Sequence, residues 1–153
     1  MYYFKAGGVL ERGQHYIHIS YDFFIETAPD KLEIEFHYEP FQGQPDDPLL
    51  LESIREAVRA QLNISDPETI QSILQQSTPL KNGIALALAD PLGFRGEDHK
   101  MIADRKIELA ETDSTPCFIN RSNPSGKYRI ILHVYNIVTD QCTYQIKVSN
   151  GES

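Results

Sequence analysis

The side chains best suited to chemistry gather in one short stretch, where Asp90, Phe94, Arg95, Glu97, Asp98 and His99 stand close together. Carboxylates, a guanidinium and an imidazole can orient a polar ligand. Gly93 and Gly96 predict that they sit on a loop, the part of a sandwich fold that commonly carries binding groups. The same residues also fit a purely architectural role, with Asp90 capping a turn and Arg95 paired to a nearby carboxylate or backbone carbonyl. Calcium would need roughly six to eight oxygen ligands, and Asp90 with Glu97 or Asp98 does not supply them.

The histidines are scattered. On a strand, His15 and His18 point to opposite faces and cannot share a metal without a bulge. His37 projects from the wet face of its strand, and His133 sits in an apolar strand as a hydrogen-bonded core or edge imidazole. No Gly-x-Ser-x-Gly elbow and no glycine loop opening onto a helix is present, so neither nucleophilic catalysis nor phosphate cradling is indicated. Glu33 and Glu35 follow the solvent face of one strand. Cys117 and Cys142 lack metal-ligand spacing and read as two free, half-buried thiols, with a single disulfide as the alternative. No catalytic residue, metal or cofactor is expected.

Strands must position these residues. From Lys31 to Glu39, Leu32, Ile34, Phe36 and Tyr38 alternate with polar residues, the period-two pattern of a half-buried strand. From His15 to Phe24, Ile17, Ile19, Tyr21 and Phe23 do the same, and the Ala28-Pro29-Asp30-Lys31 turn predicts that these two strands pair. Further strands are expected at Ile84 to Ala89, Lys106 to Ala110, Tyr128 to Val138 and Thr143 to Val148. The last two, joined at Thr139-Asp140, are expected to form a hairpin. Strands and turns at short spacing predict one mainly antiparallel β-sandwich over 1–153, jelly-roll-like.

A two-helix insertion interrupts this order at about residues 46–76. Asp46-Asp47-Pro48 is a start signal, followed by Leu50, Ile54, Val58 and Leu62 on one stripe with Leu51 and Ala57 widening it. Ser65-Asp66-Pro67-Glu68 opens a shorter helix to about Gln76, with Ile70, Ile73 and Leu74 apolar and Pro79 past its end. Gln42 to Asp47 reads as a loop.

A chain of 153 residues matches one domain and buries roughly 70% of its unfolded surface. A net charge of -8 and a pI near 5.0 repel polyphosphate, so nucleic acid and anionic membranes are excluded as partners. Lys100, Arg105 and Lys106 read as a solvated strand edge. Met1 to Gly13 has no signal-peptide character, and no apolar run approaches a membrane span of roughly 20 residues. The cytoplasm is the expected location.

The segments Asn82 to Gly96 (with Asp90-Pro91-Leu92-Gly93-Phe94-Arg95-Gly96 the most specific part), Ser114-Thr115-Pro116, Pro124-Ser125-Gly126-Lys127-Tyr128 and Val138-Thr139-Asp140-Gln141-Cys142-Thr143-Tyr144 occur in an order that resembles the N-terminal β-sandwich of PHP-domain metal-dependent phosphoesterases, the CehA/McbA-like metallohydrolases. Phe24 to Ile34 fits more loosely. Cys117 stands where that family has a small residue, usually glycine, and Tyr128 where tryptophan is frequent. The family's metal chemistry belongs to a following domain opened by an Asp-Leu-His-x-His motif, and this sequence has no His-x-His.

The resemblance therefore implies a non-catalytic companion domain, whether a separate protein, a piece of a longer chain, or a remnant of a lost enzyme. Its partner would be a PHP-type phosphoesterase domain or another protein, engaged through a sheet face or the Gly93 to His99 loop. A carbohydrate- or peptide-binding module is the rival reading, with Tyr16, Tyr128, Tyr135 and Tyr144 available to face a glycan. An autonomous hydrolase is the third. Exposed sheet edges would allow a homodimer.

Overall fold

The computed structural model describes residues 1–43, 47–77, 80–100 and 102–152, apart from the side chains of residues 50, 53 and 74–77. Through these residues run β1 (Tyr2–Glu11), β2 (Ile17–Ile25), β3 (Leu32–Glu39), α1 (Pro48–Leu62), α2 (Pro67–Ser77), β4 (Gly83–Asp90), β5 (Gly93–Asp98), β6 (Asp104–Leu109), β7 (Gly126–Asn136) and β8 (Gln141–Ser149). The strands form two antiparallel sheets, ordered β1-β8-β3-β6 and β2-β7-β4-β5. Successive strands alternate between the sheets except at β4 and β5, which is the wiring of a jelly roll. The expected fold class, an antiparallel β-sandwich with a helical insertion, is the observed one.

Period two places the core between the sheets. Ile34 and Phe36 of β3, Ile107 of β6 and Ile146 of β8 meet Leu86 of β4, Ile130 of β7 and their neighbours in one continuous buried cluster. Each such side chain contributes roughly 1.5–3 kcal/mol by leaving water. Tyr144 fills the space above Gly8, where a Cβ would stand 2.7 Å from the phenol oxygen. Glycines at 7 and 8 blur the alternation of β1, which is why the sequence pattern does not announce that strand.

Two expected pairings do not form. β2 pairs with β7, while β3 pairs with β6 and β8, so the Ala28 to Lys31 link crosses between sheets. β8 pairs with β1 and β3, so the β7–β8 hairpin is absent as well. Alternation identifies which face of a strand is buried but is silent on which sheet the strand joins. The links carry that information: Ile137 and Val138, which a hairpin turn would leave in water, are buried as the chain crosses the end of the sandwich.

The helical insertion leaves and re-enters the sandwich at one place. Gln42 bridges Lys81, Gly43 N donates to Leu80 O at 2.9 Å, and Asn82 N donates to Phe41 O at 2.9 Å. Asp47 caps α1, its carboxylate accepting from Leu49 N at 3.0 Å. Asp66 caps α2 through Thr69 N at 3.0 Å, and those bonds hold its carboxyl below the usual range. Ile54, Val58 and Ile70 form a small core of their own with Leu51, Ile64, Ile73 and Leu80. Arg12, 2.9 Å from Asp47 and 3.0 Å from Asp140, ties this insertion to the β7–β8 link. Asp46 and Pro79 lie outside the described residues, as do the side chains of Leu50, Leu74 and Gln76. No described helix is long and apolar enough to cross a membrane.

Both cysteines are free, with Cys142 buried and Cys117 exposed rather than both half-buried. Burial pushes the Cys142 thiol up to about 11. Cys117 has a φ of 80°, the left-handed region that costs a residue with a Cβ roughly 1–2 kcal/mol. This is the physical reason a glycine suits the position. Cys117→Gly should therefore stabilise the protein by about 0.5–1 kcal/mol, the strain relieved less the extra freedom glycine gains when unfolded. Urea denaturation of the two proteins side by side checks this, and a variant weaker than the parent would contradict it.

Candidate functional site

The Asp90 to His99 stretch is not a loop. Residues Gly93–Asp98 form β5, paired with β4 around the Asp90 to Gly93 turn. The register shifts opposite the Leu88–Ala89 step, leaving Arg95 as a bulged residue, so that Arg95 and Asp98, an odd number of positions apart, both turn inward while Phe94 and Glu97 share the outer face. Asp90, Arg95 and Asp98 are buried, Glu97 is half-buried, and Phe94 and His99 are exposed.

Asp90 and Arg95 are locked together. The Arg95 side chain is 0% exposed and its Nη1 donates to Asp90 Oδ2 at 2.9 Å, while its Nε donates to Ile119 O at 2.7 Å and its Nη2 to Arg121 O at 2.6 Å. Arg121 closes on the same carboxylate from the other side, Nε to Oδ2 at 3.0 Å and Nη2 to Oδ1 at 2.8 Å. Asp90 Oδ1 also accepts from Leu92 N at 2.8 Å, capping the turn. A carboxylate with this set of donors has no lone pair left for a ligand. The architectural reading of Asp90 and Arg95 is the one the geometry bears out.

Asp98 faces inward at the other end of β5. Its Oδ1 accepts from Lys100 N at 2.9 Å, and its charge supports Arg105, whose pKa burial lowers. Arg105 is not on a solvated edge as its basic neighbours suggested. It is buried over the ring of Phe36, 5.6 Å from the centroid, and donates to the carbonyls of Ile84 and Lys100.

The outward half of the stretch meets residues that lie far away in sequence. Glu97 Oε1 is 3.3 Å from His133 Nε2 of β7, and Glu97 Oε2 is 3.4 Å from His99 Nε2. His99 Nδ1 is 2.9 Å from Tyr135 Oη. His18 of β2 lies opposite His133 in register, with the two rings edge to face at 4.3 Å. Between β7 and β5 runs β4, whose side chains on this face are Ala85 and Ala87. Those methyl groups are short enough for Glu97 and His133 to meet above them. Phe94, opposite Ala89 and 62% exposed, adds an aromatic surface beside the cluster.

His18, His133 and Tyr135 are thus members of the site that the linear pattern does not group with Glu97 and His99. The hint in the sequence is the run Ala85, Ala87, Ala89 on alternate positions of an otherwise bulky strand, which marks a low floor. Among the described residues, no group of His, Cys, Asp and Glu is arranged to hold a metal ion. The cluster can accept and donate hydrogen bonds to a polar partner around one half-buried carboxylate.

The outer face of the other sheet carries a hollow of about 320 Å³ lined by Glu35, Phe36, His37, Asp104, Arg105, Lys106, Gln145 and Lys147. Its charges are largely matched internally. Asp104, accepting from His37 Nδ1, raises the His37 pKa, with Glu39 at 3.5 Å adding to it. Lys106 lies 3.4 Å from Glu33. The tyrosines considered for a glycan face do not share one: Tyr128 and Tyr144 are in the core, while Tyr16 and Tyr135 stay accessible. Burial pushes the Tyr128 phenol up to about 12, and it donates to Pro124 O at 2.6 Å.

No protein-family model and no curated protein matches the chain. Among solved structures, the chain is similar to a crystal structure of a protein from Sulfurospirillum deleyianum, at 11% identity and a TM-score of 0.34, with 95% of this chain and 97% of that chain covered.

Proposed function

We propose that this chain is a non-catalytic accessory β-sandwich that docks, in cis or in trans, on a PHP-type metal-dependent phosphoesterase in the cytoplasm. The reading rests on the segment that carries the resemblance, Asp90 to Gly96. Its two charged residues close on each other in the interior, so the segment serves architecture, while Phe94, Glu97 and His99 beside them are left for contact. The docking surface is the β2-β7-β4-β5 face around Glu97. A half-buried carboxylate gathered by imidazoles and flanked by an exposed aromatic suits the centre of a protein interface, where a few anchors dominate the binding energy.

The test mixes the full chain with the catalytic domain of a PHP-type phosphoesterase from the same source. Binding is measured by calorimetry, and hydrolysis of bis(p-nitrophenyl) phosphate with Mn²⁺ is followed in parallel. The chain alone should give no turnover, and Phe94→Asp or Glu97→Lys should weaken binding about tenfold or more. Turnover by the chain alone, absence of binding, or binding unchanged by both substitutions would overturn the reading.

A further inference from the structure

The four sheet edges are treated unequally. On one side of the sandwich, segment 114–119 lies along both edges. Ile119 N donates to Arg95 O of β5 at 2.7 Å, and Gly96 bridges Phe118. Thr115 N donates to Glu108 O of β6 at 2.9 Å, Thr115 Oγ1 accepts from Glu108 N at 2.8 Å, and Ser114 Oγ accepts from Ala110 N at 2.9 Å. Gly96 is required there, because a Cβ would stand 2.4 Å from Cys117 O. β1 and β2 end the two sheet orders on the opposite side, and among the described residues no strand pairs with their outer edges. β1 is 10 residues long, contains no proline, and its charged residues are Lys5 and Glu11. Natural proteins seldom leave so long an edge without a charge-rich stretch, a bulge in its middle or a cover.

We propose that the β1 edge is closed by a second copy of this chain, antiparallel across a twofold axis at Gly8, so that the two β1-β8-β3-β6 sheets become one continuous sheet. This surface is separate from the Glu97 face. A twofold that pairs a strand antiparallel with its own copy stands normal to the sheet, so both cores remain on the same side and facing residues point the same way. Lys5, Gly7, Val9 and Glu11 face outward from the core, opposite Lys147, Gln145, Thr143 and Gln141 of β8. A twofold at Ala6 sets Lys5 against the partner's Gly7, and one at Gly7 sets it against the partner's Val9. A twofold at Gly8 sets Lys5 against the partner's Glu11, and symmetry repeats that ion pair at the other end.

The same register places Val9, 57% exposed in the single chain, over the partner's Gly7, where no side chain competes for the space. It leaves no like charges facing each other between the two β1 strands. Lys5 meets Lys147 within its own sheet, so the partner's Glu11 would also relieve a repulsion. Within the isolated fold, Lys5→Glu replaces that repulsion by an attraction and gives up the contact of the ammonium with the Tyr2 ring at 4.0 Å, so the combined Lys5→Glu, Glu11→Lys chain is the arm that isolates the interface.

Sedimentation of the full chain across the micromolar range tests the inference. A dimer is expected. Lys5→Glu and Glu11→Lys should each raise its dissociation constant about tenfold or more, because each converts two attractive cross-strand pairs into two repulsive ones. The combined Lys5→Glu, Glu11→Lys chain should return to the parental constant. A monomer throughout that range, a dimer indifferent to both single substitutions, or a combined chain no tighter than either single one would each overturn the proposal.

Discussion

Asp90→Asn should lower the unfolding free energy by about 3–5 kcal/mol, the range seen when one member of a buried ion pair is removed. Asparagine keeps the shape of the side chain and can still accept from Leu92 N, so the loss is one of charge. Arg95 cannot respond by releasing its proton, and at 0% exposure it has no water to turn to. The carbonyls of Ile119 and Arg121 remain as partners but carry only partial charge. Arg121 is 26% exposed and can move its guanidinium outward, which leaves Arg95 as the group that bears the penalty.

In a domain of this length each kcal/mol corresponds to roughly 2–4 °C, so the melting temperature should fall by about 6–20 °C. Arg95→Met supplies the second arm of a double-mutant cycle. The chain carrying both changes should be more stable than the sum of the single losses predicts, by about 1–3 kcal/mol, since it contains no uncompensated charge from this pair. Urea unfolding of the four proteins gives these values. An Asp90→Asn protein within 1 kcal/mol of the parent would show that Asp90 does not neutralise Arg95.

The sequence makes the buried face of six strands readable because side chains on a strand alternate strictly, and Leu32, Ile34, Phe36 and Tyr38 are buried as that rule requires. The helix starts at Asp47-Pro48 and Asp66-Pro67 are readable for an equally local reason, the bonds from the next turn to each carboxylate. Pairing is a different kind of fact. β7 and β8 are separated by the short link Ile137 to Asp140, and only the burial of Ile137 and Val138 distinguishes a crossing from a hairpin.

The site was legible in half. Glu97 and His99 are near each other in sequence, but His18 and His133 reach them through register, which depends on strands more than 30 residues away along the chain. β5 was hidden because Gly93 and Gly96 look like turn residues. In the structure, Gly96 lets segment 117–118 approach, and it adjoins the bulge that interrupts the β4–β5 register at Arg95.

The second large effect belongs to Asn82, a fully buried polar side chain at the joint between sandwich and insertion. Its Oδ1 accepts from Val138 N at 2.7 Å and Thr139 N at 3.4 Å, and its Nδ2 donates to Pro40 O at 2.8 Å and Thr139 Oγ1 at 2.9 Å. One amide thus fixes the end of β3 and the β7–β8 crossing while its own backbone starts β4. Alanine would leave Val138 N and Thr139 N without their acceptor in the interior, at roughly 1–3 kcal/mol each, and would leave Pro40 O with the weak Cys142 Sγ contact at 3.9 Å. Asn82→Ala should accordingly cost about 3–4 kcal/mol.

Asn82→Asp sharpens the test, because it preserves the two acceptor contacts and sets an acceptor against Pro40 O in place of a donor. Burial would raise the new carboxyl above its unfolded pKa, so its cost should grow as pH rises through the unfolded value and level off above the folded one. Stability measured at pH 5 and pH 8 should show Asn82→Asp losing ground relative to the parent at the higher pH, while Asn82→Ala loses the same amount at both. A pH-independent aspartate variant would mean that the Asn82 amide nitrogen is not an essential donor at this joint.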